Sequence, residues 1–196
     1  MELTLDAATT AMVMVDLQKG IARGTAPHAA DDVVARAAAI AAALRATGGT
    51  VIWVHVDNAE DGADRLKPIT DGPGGRDRPK APDHADLMPG LNVQPSDVIV
   101  TKRGWGSFYG TDLDLQLRRR GIRTVILGGI STNIGVESTA REAFDHNYQL
   151  VLVEDAMTCR SADEHEHTLR TVYTKIGRVR STADVLAALG AGATAG

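Results

Sequence analysis

Three polar signals in this chain have the types to exchange a proton and to balance charge. The first is Asp16, in Val15-Asp16-Leu17-Gln18-Lys19-Gly20, directly after the apolar run Ala11–Val15. The second is Lys102, in Thr101-Lys102-Arg103-Gly104-Trp105-Gly106-Ser107-Phe108, just after the apolar run at 98–100. The third is the small-residue stretch from Gly128 to Ala140, which follows Thr124-Val125-Ile126-Leu127. A carboxyl group can give or take a proton, and an ammonium group can balance charge beside it. A strand that turns into a helix through small residues offers backbone N–H groups and the positive end of the helix dipole. Both suit a developing anion. Taken singly, Asp16 reads equally well as a turn cap and Lys102 as a solvated loop lysine. Their conjunction is what points to a site.

The elements that would position these residues follow from hydrophobic patterning. Strands are expected at 11–15, 51–56, 97–100, 124–127, 149–153 and 177–180, and helices at 30–47, 113–120, 137–146, 162–173 and 183–189. Strands alternating with helices imply an α/β fold. That fold is a three-layer α/β/α, doubly wound, Rossmann-like parallel sheet of about six strands. Such sheets bind ligands beyond the C-terminal strand ends, where Asp16, Lys102 and the 131–135 turn all fall. A single domain over 1–190 with a flexible tail at 191–196 is expected. The connection 57–90 is long, charged and rich in Pro and Gly, as in a lid or an interface segment. Its Arg65, Arg76 and Arg78 are candidate partners of a substrate carboxylate, with a solvated loop as the plainer reading.

Bulk properties narrow the function classes. A net charge of −4 without a long basic run argues against nucleic acid as a partner. One cysteine, Cys159, precludes an intrachain disulfide and fits a reducing, cytoplasmic setting. No signal peptide is read at the N-terminus, and no apolar stretch is long enough to span a bilayer, so no membrane partner is expected. Gly-x-Gly-x-x-Gly is absent from the first strand–helix turn, so no dinucleotide cofactor is expected. His55-Val56-Asp57 and the His165/Glu166/His167 trio lack the spacing of a metal set, and neither a metal nor any cofactor is expected.

The words of the turn carry a resemblance. Gly129-Ile130-Ser131-Thr132-Asn133-Ile134-Gly135-Val136-Glu137-Ser138-Thr139-Ala140 is similar to the nucleophile segment of the isochorismatase-like cysteine hydrolases, roughly Gly-Val-x-Thr-Asn-x-Cys-Val-x-x-Thr-Ala. Asp16-Leu17-Gln18, Lys102 with Ser107-Phe108, and the ending at 176–182 match that family in the same order. The resemblance implies Asp16 and Lys102 as catalytic residues, and Gln18, Ser131, Thr132, Gly135, Trp105 and Phe108 as substrate-binding residues. It also implies a cis peptide bond between Ile130 and Ser131, a small-molecule substrate, and a homo-oligomer, dimer or tetramer.

The departure from the pattern falls at the reacting position. Gly135 stands where most of the family has its nucleophilic Cys, and glycine cannot form an acyl-enzyme. Cys159, Ser131 and Ser138 are the alternative nucleophiles in the sequence. The true isochorismatases also carry Gly at that place. By resemblance to them, a carboxylic acid protonates an enol-pyruvyl ether and water completes the hydrolysis without a covalent intermediate. Their turn resembles Gly-Val-Tyr-Ala-His-Ile-Gly-Cys, whereas this chain keeps Thr132-Asn133. Three readings follow: vinyl-ether hydrolysis, C–N bond cleavage by another route, and non-catalytic small-molecule binding or assembly.

Overall fold

A computed structural model describes residues 3–72 and 81–193. Six strands form one sheet in the order β3-β2-β1-β4-β5-β6, and every pairing is parallel. They are β1 (Thr10–Val15), β2 (Thr50–Val56), β3 (Val98–Lys102), β4 (Thr124–Ile130), β5 (Gln149–Thr158) and β6 (Arg178–Arg180). Between them run α1 (Ala30–Ala46), α2 (Leu113–Arg119), α3 (Glu137–Asp145) and α4 (Ala162–Thr168). Helix α4 continues through a π turn, Leu169–Tyr173, into α5 (Thr174–Ile176), and α6 (Thr182–Ala193) closes the chain. Among the described residues no helix is long and apolar enough to cross a membrane.

Both faces of the sheet are covered, which is why β1 reads as an unbroken apolar run and is buried throughout. Alternation then divides its side chains between two cores. Met12 and Met14 pack with Trp53, Ile126 and the α1 residues Val33, Ala37, Ile40 and Leu44. Ala11, Val13 and Val15 pack with Ile52, Val54, Leu127, the α2 residues Leu113 and Leu117, and the α3 residues Ala140 and Ala143. Strand order reverses between β1 and β4, whose C-terminal ends therefore open a crevice.

Two differences from the sequence expectation shape that crevice. Strand β4 runs on to Ile130 and β5 to Thr158, with a register shift after Leu127. Gly129 makes the tight pairing possible, since a Cβ there would lie 2.1 Å from the Val15 carbonyl oxygen, at a φ of 119°. The strand-to-helix turn is a π turn, Thr132–Val136, rather than a direct helix start, and it is entered through the cis Ile130–Ser131 peptide bond that the resemblance implies. Helix α6 extends through Gly190 to Ala193; residues 194–196 of the expected tail lie outside the described residues.

The 57–90 connection is anchored at one end. Its 84–88 portion runs against 17–20: Met88 N–H donates to Leu17 C=O, Lys19 N–H to Asp86 C=O and Gly20 N–H to His84 C=O. Lys19 Nζ adds an ion pair with Asp86 at 2.9 Å.

Candidate active site

Asp16 ends β1 in the left-handed region, at φ 55°, a conformation that Asp tolerates better than most residues. The turn breaks strand alternation and sends its carboxylate into the crevice rather than into either core. Lys102, the last residue of β3, is 1% exposed and meets it there, with Nζ 2.9 Å from Asp16 Oδ2. The same ammonium donates to the carbonyls of Trp105 at 2.8 Å and Gly104 at 3.2 Å. An ammonium has three N–H donors, so these three acceptors use all of Lys102. Asp16 Oδ1, in contrast, is buried without a hydrogen-bond partner among the described residues.

The electrostatics are a contest that burial wins. Burial pushes the Asp16 carboxyl up from 3.8 to about 6, while Lys102 and, more weakly, His55 pull it down. A carboxyl group poised near neutral pH with one uncommitted oxygen is suited to exchange a proton with a bound molecule.

Gly135 completes the floor. A Cβ built on it would lie 3.2 Å from Asp16 Oδ2, and 3.4 Å from both Lys102 Nζ and the Trp105 carbonyl oxygen. The turn is held from behind. Tyr173 donates its hydroxyl to the Thr132 carbonyl at 2.6 Å, and Thr132 Oγ1 lies 2.8 Å from His165 Nδ1. Thr139 donates to the Gly135 carbonyl at 2.7 Å and shares a 2.8 Å hydrogen bond with Ser107. The latter pair ties the loop after Lys102 to the first turn of α3. Burial, with His28 adding to it, pushes His165 down to about 4, so the imidazole is neutral at pH 7.

A cavity of about 760 Å³ opens over this floor, within the range of small-molecule sites. Of the residues singled out from sequence, Asp16, Lys102, Trp105, Ser131 and Gly135 line it. Gln18, Thr132 and Phe108 do not. Gln18 is fully buried; its amide oxygen accepts from Val56 N–H at 2.8 Å and its NH₂ donates to the Val56 carbonyl at 3.0 Å. Thr132 faces His165 behind the turn. Phe108 packs into the core, its ring stacked on His146 with centroids 5.0 Å apart. Cys159 is buried, with its thiol donating to the Ser161 carbonyl at 3.0 Å.

Arg65 lines the cavity, and Arg76 and Arg78 lie outside the described residues. Sequence reasoning passed over Arg23, Arg103 and Arg160, which also line it. Arg103 directly follows the C-terminal end of β3, so the rule that singled out Asp16 applies to it, whereas Arg23 and Arg160 stand farther along the loops after β1 and β5. His55 is used structurally, between the Ala85 carbonyl at 3.0 Å and Thr101 Oγ1 at 2.8 Å.

Comparison with known proteins agrees with the fold and the order of these elements. Residues 10–184 match the isochorismatase domain family. A Bacillus subtilis (strain 168) protein named as the uncharacterized isochorismatase family protein YwoC is 49% identical, over 94% of this chain and 96% of its own length. The solved structure of a Burkholderia thailandensis isochorismatase family protein superposes with a TM-score of 0.91 at 49% identity, covering 95% of this chain and 98% of that one. A Methylobacterium radiotolerans protein named ureidoacrylate amidohydrolase RutB is 33% identical over 96% of this chain and 82% of its own length. With a cavity at the switch point of a six-stranded parallel sheet, and a family match across nearly all of its length, this chain belongs to the isochorismatase family of hydrolases.

Proposed function

We propose that this chain is an isochorismatase-type hydrolase that uses no covalent nucleophile and cleaves an enol-pyruvyl ether or a similar small acid. The observation that carries the reading is the asymmetry of Asp16: Oδ2, beside Gly135, is tied to Lys102, while Oδ1 is buried and has no hydrogen-bond partner among the described residues. A proton on Asp16 belongs on Oδ1, because Oδ2 already accepts from an ammonium group.

In the proposed reaction Asp16 Oδ1–H protonates the terminal vinyl carbon, and the C=C π pair forms the new C–H bond. The adjacent carbon becomes an oxocarbenium ion bonded to the ether oxygen. Water adds to that carbon and returns a proton to Asp16. The hemiketal C–O bond to the alcohol then breaks as the hemiketal hydroxyl gives up its proton and the departing alcohol oxygen gains one, so pyruvate and the alcohol are released and Asp16 remains protonated. Lys102 holds Asp16 in place and steadies its anion after proton transfer. The thioester route has no residue at Gly135 to run through.

The test is incubation with isochorismate and simpler enol-pyruvyl ethers, with pyruvate followed by a coupled dehydrogenase. Pyruvate release lost in Asp16→Asn supports the reading, and no release above background removes it. A second reading is C–N cleavage by water activated on ionised Asp16, favoured by the 33% identity to a protein named as an amidohydrolase. It predicts ammonia from ureido acids or carbamoyl compounds instead of pyruvate. The proposal also includes a cytoplasmic homo-oligomer. Exposed Trp105 and Tyr109 support self-association, and a monomer by light scattering at micromolar concentration would count against it.

A further inference from the structure

We infer that Glu142 is a positioning residue for this site. With the Ser107–Thr139 hydroxyl pair, it fixes from α3 the loop whose carbonyls hold the Lys102 ammonium against Asp16. That placement stands on geometry; its consequence for turnover rests on the hydrolysis proposed above.

Lys102 is held largely by main chain. Two of its three acceptors are the carbonyls of Gly104 and Trp105, two and three residues further along. Those carbonyls belong to 103–109, a segment in no helix or strand, and β3 before it is an edge strand of the sheet. A buried ammonium that loses an acceptor bears the cost of an unmet donor, so Nζ follows these carbonyls. Whatever fixes the loop therefore fixes the ammonium.

Two struts from α3 do so. Thr139 gives its single O–H to the Gly135 carbonyl at 2.7 Å, so Ser107 is the donor in the 2.8 Å bond between the two hydroxyls. Ser107 and Thr139 are both buried. The chain Ser107–Thr139–Gly135 thus sets the separation between the Lys102 loop and the turn that carries Gly135. The second strut is Glu142, whose Oε2 accepts from Phe108 N–H at 3.1 Å. Thr139 and Glu142 stand three residues apart on α3 and so present one face to the loop.

Gly106 shows how closely Glu142 is fitted. A Cβ there would lie 2.6 Å from the Glu142 carboxyl carbon and 2.7 Å from Oε1. A residue without a side chain lets the carboxylate lie over this peptide. The carboxylate then grips the backbone between the Trp105 carbonyl and the Phe108 N–H. Among the described residues Glu142 forms no ion pair, so its described partner is this loop.

The charged and titratable groups acting on Asp16 are Lys102 and, more weakly, His55, both opposing its burial. A loosened loop lets Lys102 withdraw, leaves burial less opposed and raises the Asp16 carboxyl.

The test is NMR titration of Asp16 in the full chain, which needs no substrate. Glu142→Ala should raise the midpoint by about 0.5 pH unit or more, a part of the roughly one to three that an adjacent cation imposes. Glu142→Gln removes the charge but keeps an acceptor for Phe108 N–H, so it should hold the wild-type midpoint. Ser107→Ala should raise the midpoint and Thr139→Ser should not; if Glu142→Ala does not fold, Ser107→Ala decides by the same reading. An unchanged midpoint in Glu142→Ala, even with a lower melting temperature, makes Glu142 a fold element and overturns the inference. Equal movement in Glu142→Gln and Glu142→Ala also overturns it, because charge acting through space would then suffice. If the midpoint moves as expected while no enol-pyruvyl ether is hydrolysed, the positioning stands and the proposed reaction falls.

Discussion

Lys102 Nζ lies 2.9 Å from Asp16 Oδ2 and leaves Asp16 Oδ1 with no hydrogen-bond partner among the described residues, so the two oxygens of one carboxyl group have different chemistry. One is a fixed acceptor and the other is the proton port. This division makes Asp16 the residue on which any reaction here turns.

Asp16→Asn keeps the side chain's shape and removes the exchangeable proton. Hydrolysis should fall by at least about 10²-fold, the lower end of acid–base contributions. Steady-state pyruvate or ammonia release, on whichever substrate is turned over, measures this. Full activity in the variant would take Asp16 out of the mechanism.

The pH profile separates the two chemistries. The Asp16 carboxyl, raised to about 6, is protonated below that value and about one-tenth protonated at pH 7. If the acid form donates to a vinyl carbon, kcat/KM is level below about pH 6 and falls about tenfold per unit above it. If the ionised form activates water, kcat/KM instead rises with pH through about 6. The sign of the slope between pH 6 and 8 decides.

Lys102→Met removes the positive charge that holds the Asp16 carboxyl down against its burial. The carboxyl should then titrate above 6, and the midpoint of the acid-form profile should move to higher pH. Proton-detected titration of Asp16 by NMR gives the same reading without turnover. A midpoint that stays put would mean that Lys102 exerts no charge effect on its partner.

Gly135→Cys, in a Cys159→Ala background, places a side chain 3.2 Å from Asp16 Oδ2 and 3.4 Å from Lys102 Nζ at its Cβ. The ammonium favours a thiolate, and comparable settings lower a cysteine from about 8.5 to about 3.5–7.5. Ionised Asp16 works against this, so the upper part of that range is expected. Alkylation with a small reagent at pH 7 should outpace that of buried Cys159 in the parent protein. A thiol that titrates like free cysteine would break the assignment of Asp16, Lys102 and Gly135 to one floor.

Tyr173→Phe removes the donor to the buried Thr132 carbonyl. Leaving that oxygen unsatisfied should cost about 1–3 kcal/mol, read as a melting temperature lower by several degrees. If the turn is positioned through this bond, kcat should fall while KM holds. Loss of stability alone would make Tyr173 a core residue and nothing more.

Much of this was legible from residue order, and the failures have physical causes. Apolar runs marked β1 to β5, because a sheet covered on both faces leaves few polar positions in its centre, while the edge strand β6 is the short Arg178-Val179-Arg180. Strand β5 was read five residues short because Glu154 and Asp155 interrupt the apolar run, at the register shift that follows Leu127. Gln18, two residues from Asp16, reads as sharing its face; the left-handed turn at Asp16 cancels that alternation and turns the amide back onto Val56. Arg23 and Arg160 are 137 positions apart, yet Arg160 donates to the Arg23 carbonyl, and backbone bonds between Ala26 and Cys159 hold their loops together. No local pattern carries that information.

The anchoring of 84–88 against 17–20 divides the cavity wall into a heritable half and a malleable half. Residues on the anchored side share hydrogen bonds with the very turn that aims Asp16, so a change there disturbs the acid before it alters the pocket. Asn58, Arg65, Leu66 and Arg160 line the same cavity from the segments after β2 and β5. Diversification of substrate among relatives of this chain should therefore concentrate on the second group, and exchanging that wall alone between relatives should transfer preference while leaving the proton chemistry in place.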